Sequence, residues 1–189
     1  MAFEANGGRG VVSEISQSDI AVLYGEAEVA ERVEALAREI VAEMGDDFVV
    51  VGLLKGAFVF VADLMRALHR AGAAPRVEFI RLSSYGLGKV SSGEVHVIGD
   101  IPMDLSNQNV LLVDDIVDTG RSVSYAQTLL RQRELANLKT CALIDKPSRR
   151  EVETTVDYVG FTVGDRFIAG YGIDYAEQYR ALPFIGAVD

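Results

Sequence analysis

Two aliphatic runs constrain the fold more than any other feature of the chain: Phe48-Val49-Val50-Val51-Gly52-Leu53-Leu54 and Val110-Leu111-Leu112-Val113. Neither alternates with polar residues. A strand with one wet face alternates, so an unbroken apolar strand has to be covered on both faces, as in a parallel sheet between helices. Helix-period segments follow and precede these runs. Val29, Val33, Leu36, Ile40 and Met44 recur at helical spacing over residues 27–44, which Gly45-Asp46-Asp47 ends. A second helix is predicted over 57–71, with Val61, Leu64, Met65 and Leu68 on one face, and a third over 122–133. Further strands are predicted at 77–82, 95–98, 140–144, 158–161 and 167–169, the second of these pairing with the first. The alternation of strand and helix predicts an α/β fold, a mostly parallel central sheet flanked by helices. Short segments around Val11-Val12 and after Tyr158 are expected to add a small accessory lobe.

The 189 residues suit one domain, 1–189, whose glycine-rich first ten residues are expected to fray. One cysteine, Cys141, excludes an internal disulfide framework and a multi-cysteine zinc site, and two histidines, His69 and His96, make a histidine-rich metal site a poor expectation. The net charge of −10 argues against a nucleic-acid duplex or an anionic membrane as main partner, though not against small anions. The longest apolar stretch has seven residues, 48–54, against about 20 for a membrane span. No secretory leader is read at the start, so a soluble, cytoplasmic protein is expected. Residues 83–93 hold three Gly, four Ser and one Lys, and read as an exposed, mobile loop.

The sharpest local signal runs from Val110 to Ser122. Four apolar residues lead into Asp114-Asp115, then Ile116-Val117, then Asp118-Thr119-Gly120-Arg121-Ser122 feeding a helix. Ligands of open α/β sheets bind at the carboxyl ends of strands. A loop and helix start there can hold a phosphate on backbone N–H groups, with hydroxyls from Thr119 and Ser122, and Gly120 permits close approach. Asp114 and Asp115 are hard oxygen donors suited to sugar hydroxyls or Mg²⁺. A solvated strand end and an ordinary turn would be the bland alternative, but it has to explain three acids in five residues beside a hydroxyl-rich turn. Neither a Gly-x-Gly-x-x-Gly dinucleotide loop nor a Gly-x-x-x-x-Gly-Lys-Ser/Thr nucleotide loop is present.

This segment resembles the phosphoribosyl diphosphate signature of the type I phosphoribosyltransferases. Over residues 15–185 the chain is similar to the hypoxanthine-guanine phosphoribosyltransferases, which join 6-oxopurines to phosphoribosyl diphosphate and release diphosphate. The resemblance implies the type I phosphoribosyltransferase fold with a small hood lobe. It implies that Leu54, Lys55 and Gly56 meet the diphosphate, with Arg180 near it, and that the Leu54–Lys55 bond is cis. It places Asp114, Asp115, Asp118, Thr119, Gly120, Arg121 and Ser122 around the donor, and Ile116, Lys146, Phe167, Ile168 and Asp174 around the purine. Phe167 would stack on the base, Lys146 would donate to its O6, and Ile168 would offer backbone groups. Asp118 would be the catalytic group accepting the N7 proton. Asp114, Asp115 and Asp174 would serve Mg²⁺, and Ser83, Ser84, Tyr85 and Gly86 would belong to a mobile lid. A homodimer or homotetramer is implied, acting on small molecules and binding neither nucleic acid nor membrane. The chain departs from the family pattern at Asp114, where Glu is frequent, at Arg121, and at Val156, where many members have Pro.

Competing readings are a xanthine-preferring or broad 6-oxopurine enzyme, or a regulator of the same fold that senses phosphoribosyl diphosphate and binds RNA. The acidic charge and the presence of Lys146, Phe167 and Asp174 count against the regulator. His69 and His96 are expected to be structural or solvated, Cys141 a buried inert thiol, and Arg149-Arg150 a surface or subunit contact.

Overall fold

The computed structural model describes residues 20–84, 95–98 and 104–188. Nine strands and three α-helices follow in the order β1 (Ile20–Tyr24), α1 (Glu26–Met44), β2 (Val49–Leu54), α2 (Phe58–Arg70), β3 (Arg76–Ser84), β4 (Val95–Ile98), β5 (Asn109–Val117), α3 (Arg121–Arg131), β6 (Asn137–Asp145), β7 (Tyr158–Thr162), β8 (Phe167–Ala169) and β9 (Ile185–Val188).

The main sheet has the order β4-β3-β2-β5-β6-β7. Its five strands from β3 to β7 run parallel, and β4 closes one edge antiparallel to β3, as expected. The unalternating sequence now has its physical reason. Val50, Leu111, Val113, Cys141 and Leu143 pack with α1 and α2 on one face. Val49, Val51, Val110, Leu112 and Ala142 pack with Val123, Ala126 and Leu130 of α3 on the other. Helix α1 contributes a buried stripe of Val29, Val33, Leu36, Ala37 and Ile40, and Gly45, at φ 79, ends it by donating its N–H to the Val41 carbonyl. At the β7 edge, Arg32 of α1 donates to the carbonyls of Val159 (2.7 Å) and Gly160 (3.0 Å), which occupies groups an edge strand would otherwise leave open.

The accessory lobe exists, but its membership differs from expectation. It is a three-stranded antiparallel sheet, β1-β9-β8, with Ile20, Ala169 and Val188 at its core. Tyr158–Thr162 belongs instead to the main sheet, paired with β6. Val11-Val12 and the first ten residues lie outside the described residues. Strand β5 also continues past Val113 to Val117, because its ladder with β6 persists through Asp114↔Ala142, Ile116↔Ile144 and Val117↔Asp145. The carboxylates therefore stand within the strand rather than beyond it. Similarly, Ser83 and Ser84 are not loop but the last residues of β3, held by pairing with His96 and Val95. No helix among the described residues is long and apolar enough to cross a membrane.

Candidate active site

Strands β2 and β5 are neighbours at the sheet centre, and the chain leaves them in opposite directions, from β2 to β3 and from β5 to β6. Such a reversal opens a crevice at the carboxyl ends of the strands. The loops that enter it are Lys55-Gly56-Ala57 and Asp118-Thr119-Gly120.

The second loop is fastened from behind. Arg150 donates to the carbonyls of Val117 (2.9 Å) and Asp118 (2.8 Å) and ion-pairs with Asp145. The N–H groups of Glu151 and Val152 donate to the Thr119 carbonyl at 3.0 and 3.1 Å, and Thr154 Oγ1 donates to the Gly120 carbonyl at 3.2 Å. Gly120, at φ 84, begins α3; a Cβ there would lie 2.7 Å from the Val152 carbonyl oxygen and 2.8 Å from Arg150 Cδ. Both the backbone angle and the crowding require glycine. In front of the turn is a cavity of about 220 Å³, lined by Asp114, Ile116, Val117, Asp118, Thr119, Gly120, Ser122 and Val123. Arg121 enters this neighbourhood through its backbone, its N–H lying 3.4 Å from Thr119 Oγ1, while its guanidinium pairs with Glu151 at 2.7 Å.

Asp114 is buried and accepts the Asp115 N–H at 3.0 Å. Burial, and then the adjacent Asp115 carboxylate, push Asp114 well above the usual carboxylate range. Burial raises Asp115 as well, against a partial counterpull from its hydrogen bond with Asp114, from backbone N–H groups and, last, from Arg180. The Asp115 carboxylate rests where residue 56 would carry a side chain: a Cβ on Gly56 would fall 1.8 Å from Asp115 Oδ2.

The Leu54–Lys55 peptide bond is cis, as the resemblance implied. Behind it, Gly172 (φ 98) abuts the Gly56 carbonyl, where a Cβ would come within 2.4 Å. Arg180 donates to the Gly172 carbonyl (2.9 Å) and pairs with Asp174 (2.6 Å) and Glu177 (3.2 Å). Lys55 Nζ reaches the same Glu177 at 2.8 Å. Asp174 also accepts the Glu177 N–H at 2.9 Å. Asp114, Asp115 and Asp174 do not converge on one point: among the described residues no three His, Cys, Asp or Glu side chains form a metal cage.

Opposite this network, Lys146 is buried and donates to the Arg166 carbonyl at 2.7 Å, 3.8 Å from Asp118 Oδ2. Asp118 lies 3.3 Å from Arg149, which lies 3.4 Å from Asp165. Phe167 is 70% exposed, with its ring edge-on to Tyr175 at 6.0 Å. Ile168 beside it is buried and paired with Ala187, and Ile116 is half-buried on β5. An open aromatic face next to a buried ammonium suits a flat heterocycle with an acceptor edge.

The structure thus brings together the predicted residues of β2, β5, β6 and β8 with the 170–180 segment. Tyr85 and Gly86 of the expected lid lie outside the described residues. Three participants were not anticipated. Arg149, exposed as expected, also flanks Asp118, whereas Arg150, expected on the surface with it, turns inward and fastens the turn. Glu177 links two cations; its position three residues before Arg180 was the available signal.

Residues 23–176 match the model of the phosphoribosyl transferase domain family. The chain is 42% identical over 172 residues to the hypoxanthine phosphoribosyltransferase of Escherichia coli K12, covering 89% of this chain and 95% of that protein. A crystal structure of a hypoxanthine-guanine phosphoribosyltransferase from Bacillus anthracis superposes with a TM-score of 0.82 at 41% identity, covering 89% of this chain and 98% of the other. The hypoxanthine phosphoribosyltransferase of Trypanosoma cruzi, in complex with its product IMP, gives 0.83 at 35% identity, with 89% and 93% covered.

Proposed function

Because this chain belongs to the phosphoribosyltransferase family, and within it to the hypoxanthine phosphoribosyltransferases, we propose that it is a purine-salvage enzyme. It transfers the phosphoribosyl group of phosphoribosyl diphosphate to hypoxanthine or guanine, giving IMP or GMP and diphosphate. The observation that carries the choice of base is Lys146, a buried ammonium 2.7 Å from the Arg166 carbonyl beside the open face of Phe167. An ammonium has donors only. A 6-oxopurine presents an acceptor at O6 for a further donor of Lys146, whereas adenine presents an amino group there and offers it no acceptor.

The transition state places positive charge on the ribose and negative charge on the departing diphosphate, so positioning and charge neutralisation dominate catalysis. In this reading the Asp118–Ser122 turn holds the 5′-phosphate at the start of α3. Lys55 and Arg180 face the diphosphate. Asp114 and Asp115, on β5, receive the ribose hydroxyls. Phe167 stacks on the purine, Ile168 meets its edge, and Asp118 takes the N7 proton. Water would compete with the purine for the same carbon, so the reaction requires its exclusion from this crevice.

Mg²⁺ fits this donor set. The carboxylates are hard oxygen ligands, and burial leaves the Asp114–Asp115 pair short of compensating charge. Asp114 and Asp115 would serve an ion near the ribose, and Asp174 a second ion in company with diphosphate oxygens, since Mg²⁺ takes one or two carboxylates rather than an all-protein cage. When bound it would neutralise charge on the leaving diphosphate. A cytoplasmic homodimer or homotetramer, as the resemblance implies, completes the proposal.

The test is to assay hypoxanthine, guanine, xanthine and adenine separately with phosphoribosyl diphosphate, with Mg²⁺ and in excess chelator. Turnover of the 6-oxopurines, little of adenine and none under chelation is expected. Adenine consumed as fast as hypoxanthine would reject the role of Lys146.

A further inference from the structure

Glu177 occupies an unusual place. It sits with Ala176 in a tight turn closed by the Tyr175↔Gln178 bridge, and both turn residues are left-handed, at φ 63 and 51. Non-glycine residues adopt that conformation at a cost, so the turn is held by its surroundings. Asp174 caps it by accepting the Glu177 N–H. The turn presents the Glu177 carboxylate to Lys55 Nζ, with its two oxygens at 2.8 and 2.9 Å, and to Arg180 at 3.2 Å. Lys55 and Glu177 lie 122 residues apart in sequence, so neither helical nor hairpin geometry obliges them to meet.

We propose that Glu177 is a stand-in anion: it satisfies Lys55 and, alongside the closer Asp174, shares Arg180 before the donor arrives, and diphosphate must displace it. The inference rests on the reading that these two cations face the diphosphate. A single carboxylate is a weaker partner than a diphosphate bearing several negative charges, so it yields to the substrate while lowering its net affinity. It also limits the product's hold, because the same cations must release diphosphate after reaction. Glu177 is 68% exposed, so each ion pair is of the modest surface kind, and the displacement is a tuning effect. Glu177 touches no reacting atom in this scheme; it is a positioning residue that sets donor and product affinity against each other.

Titration calorimetry with diphosphate and Mg²⁺ tests this on the full-length parent, Glu177→Gln, Lys55→Met and the double variant. Gln keeps the size of an exposed side chain and removes its charge. Diphosphate should bind Glu177→Gln about 3- to 10-fold more tightly, and the KM for phosphoribosyl diphosphate should fall similarly, with the KM for hypoxanthine unchanged. Lys55→Met should weaken diphosphate binding, and in that background the tightening by Glu177→Gln should shrink to about 2-fold, carried by Arg180 alone. Unchanged or weaker binding in Glu177→Gln, with Lys55→Met still weakened, overturns the stand-in role and leaves the diphosphate reading intact. Diphosphate affinity indifferent to Lys55→Met overturns that reading and this inference together.

Discussion

Asp118 stands between two cations, Lys146 and Arg149, in the turn that leads into α3, and the proposed function gives it the purine N7 proton. Asp118→Asn preserves size but cannot accept a proton, so single-turnover chemistry should slow by about 10²–10⁴-fold, the span typical of a positioned acid or base. A chemical step within threefold of the parent's would leave Asp118 only a structural part of the turn. Asp114 lends itself to a thermodynamic test. Burial and the neighbouring carboxylate raise its pKa, so the folded, ligand-free protein disfavours the charged form more than the unfolded chain does. A raised acid pKa destabilises the fold above that pKa, and the penalty fades as pH falls through it. Asp114→Asn should therefore raise the Tm of the ligand-free protein at neutral pH while lowering activity, and the gain in Tm should diminish on acidification. A Tm gain that grows with acid would contradict the sign. The sequence alone shows Asp118 as a carboxylate in a hydroxyl-rich turn after an apolar strand; the purine roles of Lys146 and Phe167 come from the family resemblance, since a lysine after a strand and a lone phenylalanine ordinarily serve surface and core. The places of Arg149, Arg150 and Glu177 were not legible there, because the partners that define them, Asp118, the carbonyls of Val117 and Asp118, and Lys55, lie 31 to 122 residues away.

At the scale of elements, the sequence identified every strand and helix that builds the main sheet, since apolar runs and helical periodicity report burial directly. It placed several ends wrongly for one reason: a ladder is a backbone property, so β5 runs on beneath Asp114 and Asp115, and β3 beneath Ser83 and Ser84. Strands β1 and β9 escaped notice. Ile20–Tyr24 keeps Ala21 and Val22 exposed, and the four residues of β9 include Gly186, so neither shows a face. One contact between elements carries a pH signature. Glu43 of α1 pairs with Lys139 of β6 at 2.6 Å and accepts from the Tyr158 hydroxyl of β7 at 2.7 Å. The Lys139 ammonium, then the Tyr158 hydroxyl, hold Glu43 below the usual carboxylate range. Its contribution is present above the unfolded-state pKa and is lost as pH falls through the lower folded-state pKa. Glu43→Gln should accordingly lower Tm at pH 6–7, and parent and variant should converge toward pH 3. A gap that widens in acid would refute the assignment.

Across the whole molecule, the single thiol lies at the centre. Cys141 is fully buried in β6 under α1 and α2, and burial pushes its thiol up, so it is neither exposed nor ionised in the native state. Alkylation in native buffer should be at least about 100-fold slower than in denaturant, and should accelerate with denaturant in step with loss of helical circular dichroism. Fast native labelling would mean that the sheet opens locally at β6. The contact between Gly56 and Asp115 reaches further. The carboxylate of one position fills the volume that any side chain at the other would need, and Gly172 presses on the same peptide from behind. Three stretches of chain distant in sequence therefore share one parcel of space, and substitutions among them will not add independently. In a lineage of such proteins, position 56 can acquire a side chain only where position 115 has already shortened or turned away. A library that randomises position 56 alone should accordingly be enriched in glycine, and other residues there should be recovered more readily when position 115 varies too.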